Sequence, residues 1–183
     1  MTPWNDFVQL NGIKKRFASV SLATADKLPR EIIEKGKELI HKPVSLVLTG
    51  QAGRGKTYFS YCLARGLIER YGIASTRWFK SKTLDDRLVE DTKKYGSCSY
   101  TIQCLIEVNF LFIDDFGMDR STERSERDYY ELIDGRWEDE RITIISTNLN
   151  AREIENQYGK RIFSRFKDFR WMIFDGPDLR GEN

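Results

Sequence analysis

The run Gly50-Gln51-Ala52-Gly53-Arg54-Gly55-Lys56-Thr57 constrains this chain more than any other stretch. It satisfies the pattern G-x-x-x-x-G-K-[ST] at every fixed position. The glycines of that pattern let a backbone curl round a polyphosphate and point its N–H groups inward. The flanks agree. Pro43 precedes the apolar run Val44-Ser45-Leu46-Val47-Leu48, which predicts a buried strand, and Tyr58 to Ile68 carries apolar residues at helical spacing. Strand, glycine loop and helix N-terminus together make an anion site. Lys56 is the candidate for the β- and γ-phosphates, and the Thr57 hydroxyl the candidate ligand for Mg²⁺. The alternative is a glycine-rich turn before an ordinary helix. It needs a coincidence that average residue frequencies allow on the order of one time in a hundred.

A length of 183 residues, 40% of them apolar, suits one α/β domain with a real core. The net charge of +2 is too small to argue for nucleic acid by itself. Cys62, Cys98 and Cys104 have no zinc spacing and are expected to be reduced thiols, with Cys62 facing the core. His41, the single histidine, falls at a helix end before Pro43, which argues against a histidine-based metal site or triad. No apolar run approaches membrane-spanning length. Met1-Thr2-Pro3-Trp4-Asn5-Asp6 lacks the basic-then-apolar order of a signal peptide. The expected location is the cytoplasm, with no membrane partner.

Residues 1–29 are weakly patterned apart from a basic patch, Lys14-Lys15-Arg16-Phe17. A helix is predicted from Pro29 to Ile40, with Pro29 in its first turn. Further strands are predicted at Thr76–Phe79, Asn109–Ile113, Ile142–Thr147 and Arg170–Phe174. Ser81 is a candidate cap for a helix beginning near Leu84. Helices are also predicted at Tyr100–Glu107, Glu126–Glu138, after Asn150, and from Lys160 to Phe166. Strands alternating with helices predict a parallel five-stranded sheet flanked by helices. Ligands of such sheets bind at the C-terminal strand ends, where the glycine loop, Asp114/Asp115 and Asn148 all fall.

Two acids directly after a buried strand need a reason, because unpaired buried charge is costly. A magnesium ion beside the glycine loop supplies one. Asp114 is then the metal-side acid, and Asp115 orients or deprotonates an attacking water. The alternative is a pair of turn residues before Gly117. Asn148 ends the next strand, where its amide can bond the attacking water or the γ-phosphate, or merely cap a turn. Arg161 and Arg165 share a helix face. With Lys160, Lys167 and Arg170 they form a basic cluster interleaved with Phe163, Phe166 and Phe169. That cluster is either an amphipathic helix or the carrier of an arginine that reaches a neighbouring subunit's γ-phosphate.

Gly50–Thr57, Leu111-Phe112-Ile113-Asp114-Asp115-Phe116-Gly117, Ser146-Thr147-Asn148, Ser164-Arg165-Phe166 and Asp178-Leu179-Arg180 together resemble the AAA+ ATPases of the DnaC/IstB-like group. These are helicase loaders and transposition helpers, and the resemblance covers roughly residues 13–181. It implies an AAA+ P-loop NTPase with ATP and Mg²⁺ as cofactors. Gly50, Gln51, Ala52, Gly53, Arg54, Gly55, Lys56 and Thr57 are then Walker A, and Asp114 and Asp115 Walker B. Asn148 is sensor 1, Arg165 the arginine finger (Arg161 the lesser candidate) and Arg180 the sensor 2 arginine. The segment Gly12-Ile13-Lys14-Lys15-Arg16-Phe17 looks like the start of the family's ATPase domain. The implied organisation is one AAA+ domain over 1–183. Residues 1–28 would be an N-terminal extension and 29–183 the nucleotide-binding core, with no separate helicase-binding or zinc domain.

The resemblance also implies partners. These are a replicative DNA helicase, single-stranded DNA and further copies of the chain with ATP at subunit interfaces. Lys14, Lys15, Arg16 and the residues near 160–170 are the candidate DNA contacts, with aromatics as stacking platforms. Two other readings remain open at this level. One is a transposition helper that binds duplex DNA. The other is a nucleotide-gated adaptor with little hydrolysis.

Overall fold

The computed structural model describes residues 2–11, 13–119 and 121–180; Gly12, named above, lies outside them. Its strands are β1 (Leu46–Thr49), β2 (Thr76–Lys80), β3 (Phe110–Phe116), β4 (Ile142–Thr147) and β5 (Arg170–Ile173). They form one parallel sheet in the order β2-β3-β4-β1-β5. The helices are α1 (Pro3–Leu10), α2 (Arg30–His41), α3 (Lys56–Tyr71), α4 (Ser81–Tyr95), α5 (Ser99–Glu107), α6 (Glu123–Glu138) and α7 (Ala151–Phe166). The order places β1 between β4 and β5, so the loop after β1 opens inside the sheet's C-terminal edge, one strand in from β5.

Strand alternation sorts the core into two layers. Leu46, Leu48, Phe110, Phe112 and Ile144 face the layer holding α1, α2 and α3, with Trp4, Leu39 and Phe59. Val47, Leu111, Ile113 and Ile145 face the layer of α4 to α7, with Leu84, Tyr129 and Phe166. Both faces of the central strands are therefore apolar, as a parallel sheet covered on both sides requires.

Several elements differ from the sequence expectation. The weakly patterned N-terminus contains α1, whose Thr2 side chain caps it and whose Pro3 stands in its first turn. Trp4 and Phe7 are buried against the α3 layer. Phe17 packs on Tyr61, with ring centroids 4.7 Å apart, and Tyr61 stacks on Trp78 at 4.8 Å. Phe166 and Phe169 lie in the opposite core layer. Of the aromatics expected as stacking platforms, Phe166 and Phe169 are thus core residues, while Phe17 and Phe163 are partly buried against the core. The basic residues at 14–16 and those of α7 belong to elements on opposite faces of the sheet, whereas Arg170 on β5 turns to Glu38 of α2, on the side of the first cluster. Ser81 is the first residue of α4 rather than its cap. Its hydroxyl lies 2.8 Å from the Tyr129 hydroxyl, which needs a partner when buried. A break at Gly159, with φ 82°, divides α7 at the junction expected between two helices.

Asp85 on α4 has an oxygen that is buried and finds no hydrogen-bond partner among the described residues. Burial pushes its carboxyl up to about 6, against the pull of Arg124. The folded value thus lies above the unfolded one. The group contributes stability below the unfolded value and loses it as pH rises through about 6. Asp85→Asn is expected to raise the melting temperature at pH 7.5 by roughly 3–5 °C, with the gain vanishing near pH 4. Calorimetry at both pH values checks this; an equal shift at both would contradict it.

Candidate nucleotide site

The loop between β1 and α3 follows a path that only its glycines allow. A Cβ at Gly50, where φ is 141°, would stand 2.3 Å from the Phe174 carbonyl oxygen. The Phe174 amide in turn donates to the Thr49 carbonyl at 2.8 Å, so β5 holds the start of the loop. Gly55, in the left-handed region, turns the chain into α3, and Lys56 is the first helical residue. Its ammonium donates to Gly50 O at 2.5 Å, Gln51 O at 2.9 Å and Asn148 Oδ1 at 2.8 Å. Burial pulls the Lys56 ammonium below the usual lysine range, opposed by Asp115 and Asp114. An ammonium held by carbonyls at the mouth of a glycine loop is placed to exchange them for phosphate oxygens.

Thr57 Oγ1 donates to the Asp114 carboxylate, 3.0 Å from one oxygen and 3.1 Å from the other. Asp114 is 2% exposed. Burial pushes its carboxyl up, while bonds from Ser146 and Thr57 pull it back. This pair fits a magnesium ion. Both donors are hard oxygens, and two protein oxygens suit a cation that keeps water and takes its other ligands from phosphates.

β3 runs through both acids rather than ending before them. Asp115 has a φ of 58°, rare for a side-chain-bearing residue. Its carboxylate is about half exposed and lies 3.8 Å from Lys80 at the end of β2. Asn148 joins Lys56 to the far side of the site, its amide nitrogen 3.3 Å from Met118 Sδ.

These groups line one cleft of about 1350 Å³, which Tyr58, Tyr61, Trp78 and Leu179 also line. Arg180 lines it too, and its charge acts on Lys56. Arg54, expected in the phosphate cradle, turns its guanidinium to the Gly176 carbonyl and to Gln51 Oε1, the latter at 3.1 Å. Arg165 is not brought to the cleft of its own chain. Its Nε donates to Asp134 at 2.5 Å and its guanidinium covers Trp137 at 4.5 Å. Arg161 sits over Tyr130, 5.8 Å from the ring centroid.

Sequence reasoning missed two residues, Lys80 and Ser146. The signal for both was strand register, since each lies beside an acid on a neighbouring strand.

The family model for IstB-like ATP binding proteins matches residues 7–165. The chain belongs to this family. A protein of the Pseudomonas fluorescens insertion sequence IS1162, described as ATP-binding, is 27% identical over 157 residues. The match covers 80% of this chain and 66% of that relative, so the chain spans just under two thirds of the relative's length. Among solved structures, the DnaC helicase loader is similar with a TM-score of 0.79 at 19% identity, covering 88% of this chain and 100% of that one. AMPPCP-bound DnaA from Aquifex aeolicus is similar with a TM-score of 0.75 at 16% identity, covering 92% of this chain and 53% of that one. The fold is that of the AAA+ P-loop ATPases. Among the described residues, no helix is long and apolar enough to cross a membrane.

Proposed function

We infer that this IstB-like protein binds ATP with Mg²⁺ at Gly50–Thr57 and Asp114, hydrolyses it, and uses the cycle to load or remodel a replicative DNA helicase on single-stranded DNA. The observation that carries the catalytic part is the pair of hydrogen bonds Lys56–Asn148 and Thr57–Asp114 in one cleft, with Asp115 beside them. Lys56 neutralises the β- and γ-phosphates. Thr57 and Asp114 hold the metal, which when bound offsets the charge that develops on the phosphates. Asp115 orients a water and takes its proton as the water oxygen attacks the γ-phosphorus and the bond to the β-phosphate oxygen breaks. Asn148 holds Lys56 and reaches the same water.

Arg165, on the far layer and in an ion pair with Asp134, is assigned to the γ-phosphate of a neighbouring copy, and Arg180 to the nucleotide of its own chain. Asp115→Asn is expected to keep ATP affinity within about twofold and to lower turnover by on the order of a hundredfold or more. Fluorescent-nucleotide titration and phosphate release check the two halves. Equal turnover by both proteins would remove Asp115 from the chemistry. If neither turns ATP over, alone or with DNA, the adaptor reading gains.

Similarity to the DnaC helicase loader over the whole of that chain supports the loader reading. A second reading, a transposition helper that binds duplex DNA, is favoured by the insertion-sequence relative. ATP-dependent binding to duplex rather than single-stranded DNA would select it.

A further inference from the structure

We propose that Ser146 is a positioning residue for the hydrolysis assigned above, a pin that sets both acids of β3 through one hydroxyl. The inference rests on the register of β3 and β4. Ile113 pairs with Ile145 and Phe116 with Thr147, and the register shifts between them. Two residues of β3, Asp114 and Asp115, therefore stand opposite one residue of β4, Ser146. This is a β-bulge, a device that bends a strand and re-aims a side chain. A bulge leaves backbone groups without their ladder partners, and here Ser146 supplies what is lost.

The Asp115 amide donates to Ser146 Oγ at 3.1 Å, and the Ser146 hydroxyl donates to Asp114 Oδ1. Ser146 is 2% exposed, so water does not compete for either bond. The first bond holds Asp115 in its left-handed backbone conformation, which turns its carboxylate towards the cleft and Lys80. The second fixes one oxygen of Asp114 while Thr57 approaches the same carboxylate from α3. Alanine at this position leaves the Asp115 amide without this acceptor and the Asp114 carboxylate with one donor fewer. Neither change touches the glycine loop or Lys56, so nucleotide binding without metal stays intact.

The test compares wild type, Ser146→Ala and Ser146→Thr by fluorescent-ATP affinity in EDTA, the same affinity in Mg²⁺, and steady-state turnover. For Ser146→Ala the expected result is an EDTA affinity within about twofold of wild type and a kcat lower by on the order of tenfold to a hundredfold. The gain in affinity that Mg²⁺ confers should shrink as well. Ser146→Thr, which keeps the hydroxyl, should recover most of both losses.

Unchanged kcat and unchanged Mg²⁺ gain in Ser146→Ala would overturn the proposal. So would a loss in EDTA affinity and melting temperature that parallels the loss in turnover, since that is only a weakened fold. If the alanine variant does not fold, the threonine variant decides, with retained turnover supporting the hydroxyl and lost turnover opposing it. If wild type itself shows no turnover, the hydrolysis reading fails separately. Ser146 is then judged by the ratio of affinities in Mg²⁺ and EDTA.

Discussion

Lys56→Ala is expected to weaken ATP binding by on the order of a hundredfold, the equivalent of ~3 kcal/mol of charge-assisted contact. The ammonium stands where two loop carbonyls and Asn148 converge. Its three donors are already aimed, so little side-chain freedom is lost when phosphate oxygens replace the carbonyls. Alanine leaves a loop of amides with no mobile positive charge behind them. Titration with a fluorescent ATP analogue, with melting temperature as the control for folding, reads the loss directly; wild-type affinity in the variant would remove the loop from nucleotide binding. The same variant tests the role of Arg165. At ATP concentrations well below their weakened Kd, subunits carrying Lys56→Ala hold little nucleotide but keep Arg165, and Arg165→Ala subunits hold nucleotide but lack the arginine. Mixing the two is expected to recover part of the turnover that each lacks. No recovery at any ratio would contradict action across a subunit boundary.

Arg136→Met is expected to destabilise the protein by ~3–5 kcal/mol through the buried carbonyls it leaves unsatisfied, lowering its melting temperature by on the order of 10 °C. Arg136 is completely buried. Its partners in this buried site are neutral oxygens. Nε donates to Thr143 Oγ1 at 2.8 Å and Nη2 to Ile142 O at 2.6 Å. Nη1 is shared among the carbonyls of Leu105, Ile106 and Val108. Those last three lie at the C-terminal end of α5, where helix carbonyls have no partner of their own. One guanidinium thus closes α5, anchors the start of β4 and ties both to α6. Burial pulls its value down to about 9, so it stays charged at neutral pH. Methionine fills a similar volume but donates nothing, leaving several buried carbonyls unsatisfied. Scanning calorimetry checks the shift. A change under about 2 °C would mean that water reaches the carbonyls and the residue is dispensable.

These two positions mark what could and could not be read from the chain. Lys56, Thr57 and Asp114 meet in the structure because a P-loop fixes backbone path and side-chain direction together, so its spacing carries three dimensions. Asn148 and Arg180 reach the same cleft for a similar reason, as both follow strands at the sheet's C-terminal edge. Arg136 left a fainter trace. Tyr129, Leu132, Ile133 and Arg136 form one inward stripe of α6, so a charge continues an apolar face. That anomaly is visible in sequence, but its carbonyl partners come from α5 and β4 and are not. The Asp115 conformation was illegible because a bulge is set by pairing between strands, not by either strand alone. The short α1 has a helix-start signal in Thr2-Pro3, but its eight residues offer too little periodicity to stand out. The sheet separates the basic residues at 14–16 from those of α7 while Arg170 turns to Glu38 of α2, a division that only topology reveals.

The most direct measurement is co-elution of the protein with a replicative helicase from its own host, with and without ATP, with masses read by light scattering. A complex of defined stoichiometry whose formation or release depends on ATP is the expected result. Absence of any complex in either state, alongside intact ATP binding, would contradict the helicase-loader assignment and turn attention to duplex DNA and a transposase.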